Sequence, residues 1–381
     1  MTKDLDTYSD LVIKDGDIRN PLTILNRQQI NDDVSFLLKF LDQGYSGKNF
    51  LPDGQFKKLV LELEEIKKSE ALSPIELCNK IEKSILKIND NHFWASLRTG
   101  KCGVPRFDYA KAVYLGKNLN QDLNTPWLHK EIKINKKAVS VFSFSYFPKW
   151  ESQLWDGFGV LLKKSVQSSH AIILDLRSNG GGSQGPTREI AKLLYGQEPM
   201  EIFDGGAEVQ TAEAKAMLYN SLKLEILSQK QSGKNAEEFQ LKALAKGLED
   251  FKSASRNPPA LREVVYSGDV EDRKLNSELF YKHPILVLVD EFCASSCEAL
   301  LLYLRSHPNA KFVGTHSGGF LQFGELGSVL LKNSQIVADI PTKHFRLKGG
   351  FNYEKIGIKA DVQISFRDAY KYAVNLLEKR L

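Results

Sequence analysis

The 381-residue chain is poor in cysteine and has no long apolar run, and both shortages exclude classes of protein. Its four cysteines are too few and too unevenly spaced for a disulfide scaffold, so we expect buried thiols at Cys78, Cys102, Cys293 and Cys297. The last two could supply two metal ligands, but no His/Cys pair lies nearby to complete a site, so we expect no metal. No apolar stretch approaches a membrane span, and the polar first thirty residues do not form an intact signal peptide.

An excess of charge of one sign is also lacking. The 52 basic residues only slightly outnumber the 47 acidic ones, which gives a formal net charge of +5, and no long basic run is interleaved with aromatic residues. A nucleic-acid partner is therefore not expected. The 42% of hydrophobic residues and 26% of charged residues are typical of a folded soluble protein with a sizeable core.

The first part of the chain has the pattern of a helical unit. Apolar residues recur at helical spacing in three stretches, 34–41, 56–66 and 78–88. Ser73 and Glu76 form a capping-box pattern around Pro74, which indicates where the third helix begins. We therefore predict an N-terminal helical unit over residues 1–97.

The rest of the chain predicts an α/β core over residues 98–381. Strands are indicated at 138–147 and in the continuous apolar runs 171–176 and 284–289, and helices at 150–166 and 187–195. Such runs followed by helices are typical of parallel strands buried on both faces. A helix-forming segment at about 205–258 interrupts this alternation, as either a lid or a solvated helical hairpin.

Two turns after the buried strands carry the candidate chemistry. Residues 175–182 read Asp-Leu-Arg-Ser-Asn-Gly-Gly-Gly, and a glycine turn of this kind lets backbone N–H groups bind a phosphate or an oxyanion. Neither phosphate-binding glycine motif is present there. The second turn places Ser295 and Ser296 between a strand and a helix, where either serine could act as a nucleophile or simply cap the helix. Asp175 and Arg177 suit a structural buried pair.

These two segments together resemble the C-terminal processing (tail-specific) serine peptidases. The family carries an Asp-Leu-Arg-x-Asn-x-Gly-Gly strand turn and, further along, a Ser-Ala-Ser-x-x-Glu helix start, here residues 175–182 and 293–298. The resemblance covers residues 85–365 and implies a ClpP/crotonase-like α/β core with Ser295 as nucleophile. It also implies an oxyanion hole made by the backbone N–H groups of Ser296 and Gly181.

The chain differs from the Ser/Lys branch of the family in the residue that would act as general base. That branch has a lysine in a Phe-Gly-Lys-Gly turn, whereas residues 316–321 here read His-Ser-Gly-Gly-Phe-Leu. Gly-Gly at this turn resembles the tricorn core protease and the interphotoreceptor retinoid-binding protein modules. In the tricorn-like branch a histidine replaces the lysine, and the Asp90-Asn91-His92 segment resembles its Asp-x-His signature. The resemblance implies His92 as base, with His316 as the alternative.

An acidic residue is expected to support the histidine. Residues 354–361 resemble the family's Glu-x-x-Gly-Val-x-Pro-Asp segment, with Ala360 in place of the proline, and Glu354 matches the tricorn-type glutamate. A solvated loop carboxylate is the simpler interpretation of Glu354, and Glu325 and Asp361 are alternative candidates.

The resemblance implies a serine peptidase that acts on peptides or proteins without a metal or other cofactor. A non-catalytic module that binds a hydrophobic ligand on the same fold is the alternative. The interval between Leu97 and Ala138 is too short for the PDZ domain of many relatives. By family analogy we expect a periplasmic or secreted protein, and the sequence leaves the oligomeric state open.

Overall fold

The computed structural model describes residues 10–98, 100–102, 125–256, 261–264 and 275–381. The interval 103–124, which bears on the expected lack of a PDZ domain, lies outside these described residues. Among them, no helix combines the length and the apolar character needed to cross a membrane.

Helices and strands are interspersed along the described chain. The α-helices are α1 (Arg27–Gly44), α2 (Gly47–Phe50), α3 (Gln55–Ile66), α4 (Pro74–Ile85), α5 (Phe158–Ser168), α6 (Gln184–Tyr195), α7 (Ala212–Gln231), α8 (Glu238–Arg256), α9 (Ser296–Arg305) and α10 (Ala369–Arg380). The strands are β1 (Leu25–Asn26), β2 (Ala71–Leu72), β3 (Trp94–Leu97), β4 (Gly100–Lys101), β5 (Trp127–Ile134), β6 (Lys137–Phe144), β7 (Ala171–Asp175), β8 (Phe203–Val209), β9 (Leu261–Val264), β10 (Ile285–Val289), β11 (Ala310–Gly314), β12 (Phe323–Leu331), β13 (Ile336–Leu347) and β14 (Val362–Gln363). Short 3-10 helices lie at Asp15–Asp17, Gln153–Trp155, Ser277–Leu279 and Lys348–Gly350.

The chain forms two compact units, and neither is a continuous stretch of sequence. Unit 1 consists of Met1–Pro105, Gly205–Tyr266 and Gln322–Arg346, and unit 2 of Arg106–Asp204, Ser267–Leu321 and Leu347–Leu381. Each unit has a buried apolar cluster of its own. The sequence predicts a domain boundary after residue 97, and this stays a prediction. The two structural units are instead each assembled from segments that are distant in the sequence.

In unit 1, the three predicted N-terminal helices are confirmed as α1, α3 and α4. The capping box of α4 is present: the Glu76 N–H donates to the Ser73 hydroxyl at 3.4 Å, and the Ser73 N–H donates to the Glu76 carboxylate at 2.8 Å. Pro74, whose missing N–H costs nothing at a helix start, is the first residue of this helix.

The segment predicted as helical at about 205–258 belongs to unit 1, and its described residues contain α7 and α8, as its composition predicts. Its first residues, however, belong to strand β8. Met217 of α7 is fully buried, and the Thr211 hydroxyl that caps α7 donates to the Gln43 carbonyl of α1 at 2.7 Å. The sheet of this unit has the order β4-β3-β13-β8-β9, with β12 paired to β13. The first half of α7 is thus part of a packed core.

Unit 2 contains the predicted α/β core. Its sheet has the order β14-β11-β10-β7-β6-β5, in which β5 is antiparallel and the other pairs are parallel. Every residue of β7 and β10 is buried, which confirms the continuous apolar runs as central strands. The helix expected at 150–166 begins later, at Phe158, after a 3-10 turn.

Strand β5 was missed because its sequence lacks a turn signal. The β5–β6 hairpin turns through Asn135 and Lys136, both at positive φ (48° and 67°), without the glycine that usually marks such a turn.

The register of the central strands positions the two candidate turns. Leu288 of β10 lies opposite Asp175 of β7 in a parallel pair, so both strands end at the same edge of the sheet. The glycine turn follows β7 and the serine turn follows β10. They therefore leave the sheet side by side.

Candidate active site

The serine turn has an unusual backbone at Ser295. This residue has φ 57° and ψ −123°, a region that non-glycine residues enter at a cost of about 1–3 kcal/mol. Main-chain bonds hold it there, because the Glu298 N–H donates to the Ser295 carbonyl at 2.8 Å and the Cys297 N–H to the Ala294 carbonyl at 3.0 Å. The side chain is partly exposed at the positive end of α9. This strained elbow is typical of a presented nucleophile.

The glycine turn lies directly against the serine elbow, as the sequence predicts. Gly181 has φ 94°, and a Cβ atom there would lie 2.5 Å from the Ala294 carbonyl oxygen and 2.8 Å from the Ser295 Cβ. Only glycine fits this close approach. The Ser296 hydroxyl closes the contact by donating to the Gly182 carbonyl at 2.7 Å.

The expected oxyanion donors differ in their present partners. The Gly181 N–H donates to the Asn179 Oδ1 at 2.8 Å, whereas the Ser296 N–H donates to no acceptor among the described residues. The fully buried Asn179 also accepts the Ala294 N–H at 3.1 Å through its carbonyl. Sequence reasoning gave Asn179 no role, although it stands at a fixed position of the family motif.

A buried ion pair holds the start of the glycine turn. The Arg177 guanidinium donates to both oxygens of Asp175, at 2.8 and 2.6 Å, and to the Phe366 carbonyl at 2.7 Å. This is the structural pair that the sequence suggests.

Asp290, at the end of β10, is a second buried carboxylate that the sequence did not single out. Its side chain accepts the Ser178 N–H at 3.0 Å and the Phe292 N–H at 3.1 Å. Burial raises its pKa to about 7, since desolvation disfavours the charged form. One carboxylate thus connects the two turns.

The Glu298 side chain accepts four hydrogen bonds at the elbow. One of its oxygens accepts the Ser295 N–H at 3.0 Å and the Phe320 N–H at 2.6 Å, and the other accepts the Ser317 hydroxyl at 2.6 Å and the Gly319 N–H at 2.8 Å. It is fully buried, and burial raises its pKa. Its signal in the sequence is the capping spacing Ser295-x-x-Glu298.

Glu354 lies in the same unit as the elbow and contacts the turn anchored by Glu298. Its carboxylate accepts the Leu321 N–H at 3.1 Å, and the side chain is only 2% exposed. The neighbouring Lys355 N–H donates to the Gly319 carbonyl at 2.9 Å. Glu354 is therefore a buried, oriented carboxylate, and the solvated-loop interpretation is wrong.

The alternative base, His316, and the alternative acids, Asp361 and Glu325, differ from His92 and Glu354 in exposure or in their partners. His316 is exposed, with its Nδ1 2.7 Å from the Ser317 carbonyl oxygen. Asp361 is bound by Arg305 at 2.7 Å and accepts the Phe312 N–H at 2.8 Å. Glu325 is exposed and belongs to unit 1.

His92 belongs to unit 1, whereas Ser295, Ser296, Gly181 and Glu354 belong to unit 2. It is 5% exposed and follows α4, where the Asp90 carboxylate accepts the N–H groups of His92 and Phe93 at 2.8 and 3.1 Å. The Tyr45 hydroxyl donates to the other Asp90 oxygen at 2.7 Å. The turn carrying His92 is thus fixed within its own unit, and its convergence with Ser295 stays a prediction.

The four cysteines correct the expectation of buried thiols. They form two disulfides, Cys78–Cys102 in unit 1 and Cys293–Cys297 in unit 2, with Cα–Cα distances of 5.2 and 5.3 Å. Uneven spacing does not reveal either pairing, because Cys78 lies in α4 and Cys102 just after β4, whereas Cys293 and Cys297 lie within the serine turn and the first turn of α9. The second pair brackets Ser295.

Comparison with known proteins identifies the family. The sequence profile of peptidase family S41 matches residues 139–364, more than half of the chain, including both turns. The chain belongs to peptidase family S41. This S41 protein is therefore a serine-type peptidase of the C-terminal processing family, and its substrates are peptides or proteins.

Solved structures agree with this assignment at the level of the fold. The S41 chain is similar to mature CPAF (TM-score 0.57, 13% identity, 93% of this chain and 97% of that one). It is also similar to a putative peptidase from Parabacteroides merdae (TM-score 0.52, 16% identity, 93% and 97%). A comparison with curated proteins gives no match.

Proposed function

We propose that this S41 peptidase cleaves peptide bonds with Ser295 as nucleophile, His92 as general base and Glu354 as the carboxylate that supports His92. The observation that carries the proposal is the elbow, where the strained Ser295 meets Gly181 beside the Ser296 N–H. A serine held this way presents its hydroxyl above a ready donor for the developing charge.

The proposed reaction is an acyl transfer in two halves. The Ser295 Oγ attacks the peptide carbonyl while His92 takes its proton, and His92 then gives that proton to the leaving amine. Water, deprotonated by His92, then attacks the acyl carbonyl; the bond from the carbonyl carbon to the Ser295 Oγ breaks, the carboxylic acid product leaves, and His92 returns the proton to the Ser295 Oγ. Each proton that His92 takes from Ser295 or from water is thus given back within the cycle.

The tetrahedral oxyanion would receive hydrogen bonds from Ser296 and Gly181. The Ser296 N–H is the ready donor, because it has no acceptor among the described residues. The Gly181 N–H would exchange the Asn179 Oδ1 for the substrate oxygen. Each such donor contributes about 3 kcal/mol of transition-state stabilisation.

Labelling with a fluorophosphonate tests the nucleophile. We expect the probe to modify the wild-type protein at Ser295 and to leave Ser295→Ala unlabelled. Equal labelling of both proteins would refute the assignment. A protein that neither reacts with the probe nor cleaves peptides, yet binds a hydrophobic small ligand, would instead support the non-catalytic module.

Paired histidine variants test the base. Loss of a general base costs about 10²–10⁴-fold in kcat, so we expect this loss in His92→Ala and near-normal turnover in the exposed His316→Ala. The reverse result would assign the base to His316. Glu354→Gln removes the negative charge of this side chain but keeps a hydrogen-bond acceptor of similar shape. A fall in kcat with unchanged KM supports Glu354 as the partner of the histidine.

We further propose that the protein works in an oxidising compartment, such as the periplasm or the cell exterior. Two disulfides support this location, since cytosolic reductants keep most thiols reduced. Alkylation under denaturing conditions of protein freshly isolated from its own cells, followed by mass spectrometry, should detect no free thiol at Cys293. Complete alkylation of all four cysteines would contradict the proposal.

A further inference from the structure

A disulfide encloses the proposed nucleophile. Cys293 lies two residues before Ser295 and Cys297 two residues after it, and their Cα atoms are 5.3 Å apart. Both cysteines are fully buried. The covalent loop therefore contains Ser295 at its centre, with Ala294 and Ser296 on either side.

The two ends of this loop are anchored to different parts of unit 2. Before Ser295, the Cys293 N–H donates to the Asp290 carbonyl at 3.0 Å, and the Cys293 carbonyl accepts the Gly318 N–H at 2.8 Å. After Ser295, Cys297 is the second residue of α9. The disulfide joins the strand-end anchor to the helix across the strained residue.

The strained backbone of Ser295 is the feature that the disulfide restrains. At φ 57° and ψ −123°, Ser295 is outside the regions that L-residues prefer, so an unrestrained segment favours a negative φ there. Such a rotation would move the Ser295 Oγ and turn the Ser296 N–H, which follows it in the chain. Both groups belong to the proposed catalytic machinery.

Global stability is a weaker explanation of the same bond. The entropy that a disulfide removes from the unfolded chain grows with the loop it closes. Cys293 and Cys297 are separated by 4 positions and Cys78 and Cys102 by 24. The short loop is therefore the less effective of the two at stabilising the whole chain.

We infer that Cys293 and Cys297 are positioning residues for catalysis, and that their disulfide holds Ser295 and the Ser296 N–H in the reactive arrangement. The inference rests on the proposed role of Ser295 as nucleophile. It predicts that opening the disulfide slows the chemical step without weakening substrate binding to the same degree.

The direct test compares two double variants, Cys293→Ala/Cys297→Ala and the matched control Cys78→Ala/Cys102→Ala. In the first, we expect the rate constants of fluorophosphonate labelling and of peptide turnover to fall about tenfold or more, with KM within about threefold. Hydrogen exchange of residues 293–298 should become faster. The control should keep its labelling rate within about threefold and lose more thermal stability.

A second arm avoids the substitutions at the elbow. In the Cys78→Ala/Cys102→Ala background a dithiol transfers two electrons and two protons to the remaining disulfide, which yields two thiols and the cyclic disulfide of the reagent. The labelling rate should fall in proportion to the fraction of Cys293 that mass spectrometry finds reduced. It should recover on reoxidation. This experiment remains possible even if Cys293→Ala/Cys297→Ala does not fold.

The outcomes separate the two hypotheses. If the wild type is labelled at Ser295 and opening the disulfide leaves the labelling rate unchanged, the positioning role is refuted while the proposed function stands. A rise in KM with unchanged kcat also refutes it. If the wild type is not labelled at Ser295, the proposed function fails, and the inference that rests on it fails with it.

Discussion

Main-chain N–H groups, rather than cations, satisfy two buried carboxylates at the serine elbow. Glu298 accepts three of them and one hydroxyl, and Asp290 accepts those of Ser178 and Phe292. A carboxylate used this way fixes backbone geometry, because each oxygen can hold two donors in place. These two residues link the elbow to the turns on either side of it.

Glu298→Gln is predicted to damage both activity and stability. The amide replaces one acceptor oxygen by an N–H donor that faces two donors, so at least two buried hydrogen bonds are lost at about 1–3 kcal/mol each. We expect kcat to fall about tenfold or more as the elbow relaxes, and the free energy of unfolding in urea to fall by about 2–6 kcal/mol. The exposed Glu378→Gln is the control and should match the wild type in both measurements.

The raised pKa of Asp290 predicts that the stability of the protein depends on pH. The pKa of this carboxyl is about 7 in the folded protein and 3.8 in the reference state, so between these values the folded protein holds a proton that the unfolded chain has released. Its contribution to stability is complete below pH about 4 and is lost as the pH rises through 7, by roughly 4 kcal/mol in all. The difference in unfolding free energy between wild type and Asp290→Asn, measured by urea titration from pH 4 to 8, should shift in favour of the variant. A constant difference would contradict the prediction.

At the scale of the elements, the site follows from two adjacent parallel strands that end together. Strand β7 leads into the glycine turn and β10 into the serine elbow, with α6 and α9 carrying the chain away. Helix α9 also directs the positive end of its dipole at Ser295. The two turns of the site thus come from two strand-turn-helix segments whose strands, β7 and β10, are neighbours in the sheet although far apart in the sequence.

Two neighbouring glycines of the turn should behave very differently. An alanine at Gly181 places its Cβ 2.5 Å from the Ala294 carbonyl oxygen at φ 94°, whereas Gly180 has nothing within 4 Å of such an atom. We expect Gly181→Ala to displace the elbow and lower kcat about 100-fold or more, and Gly180→Ala to stay within about threefold of wild type. Kinetics and fluorophosphonate labelling of both variants check this. Equal activity would show that the elbow tolerates displacement.

Local patterns account for what could be predicted among the elements. Continuous apolar runs identified β7 and β10, and the capping box at Ser73 identified the start of α4. In contrast, Asn135 and Lys136 adopt positive φ without glycine, so the β5 hairpin left no recognisable signal. The bond between Asn179 and the Gly181 N–H is set by the folded turn, which spacing alone does not reveal.

At the scale of the whole molecule, the chain builds two units with separate cores from interleaved segments. Residues 205–266 and 322–346 join the N-terminal helices in unit 1, where Gly327 of β12 lies against Met217 of α7. Such a discontinuous unit depends on contacts between distant segments, which a linear reading of helix and strand patterns does not contain. The same limit applies to Cys78 and Cys102, which are 24 positions apart and meet only when α4 and the residue after β4 pack into one core.

The Cys78–Cys102 disulfide should stabilise unit 1 selectively. Closing its loop lowers the entropy of the unfolded chain, which stabilises the folded state by about 3.5 kcal/mol at 25 °C. The corresponding value for the Cys293–Cys297 loop is about 2 kcal/mol. In Cys78→Ala/Cys102→Ala we expect peptides from α1, α3 and α4 to lose protection from hydrogen exchange at lower urea concentration. Peptides from β6, β7 and α6 of unit 2 should keep their wild-type midpoint, because their core does not contain this bond. An equal shift of both sets would mean that the two units unfold as one cooperative structure, and the selective effect would be disproved.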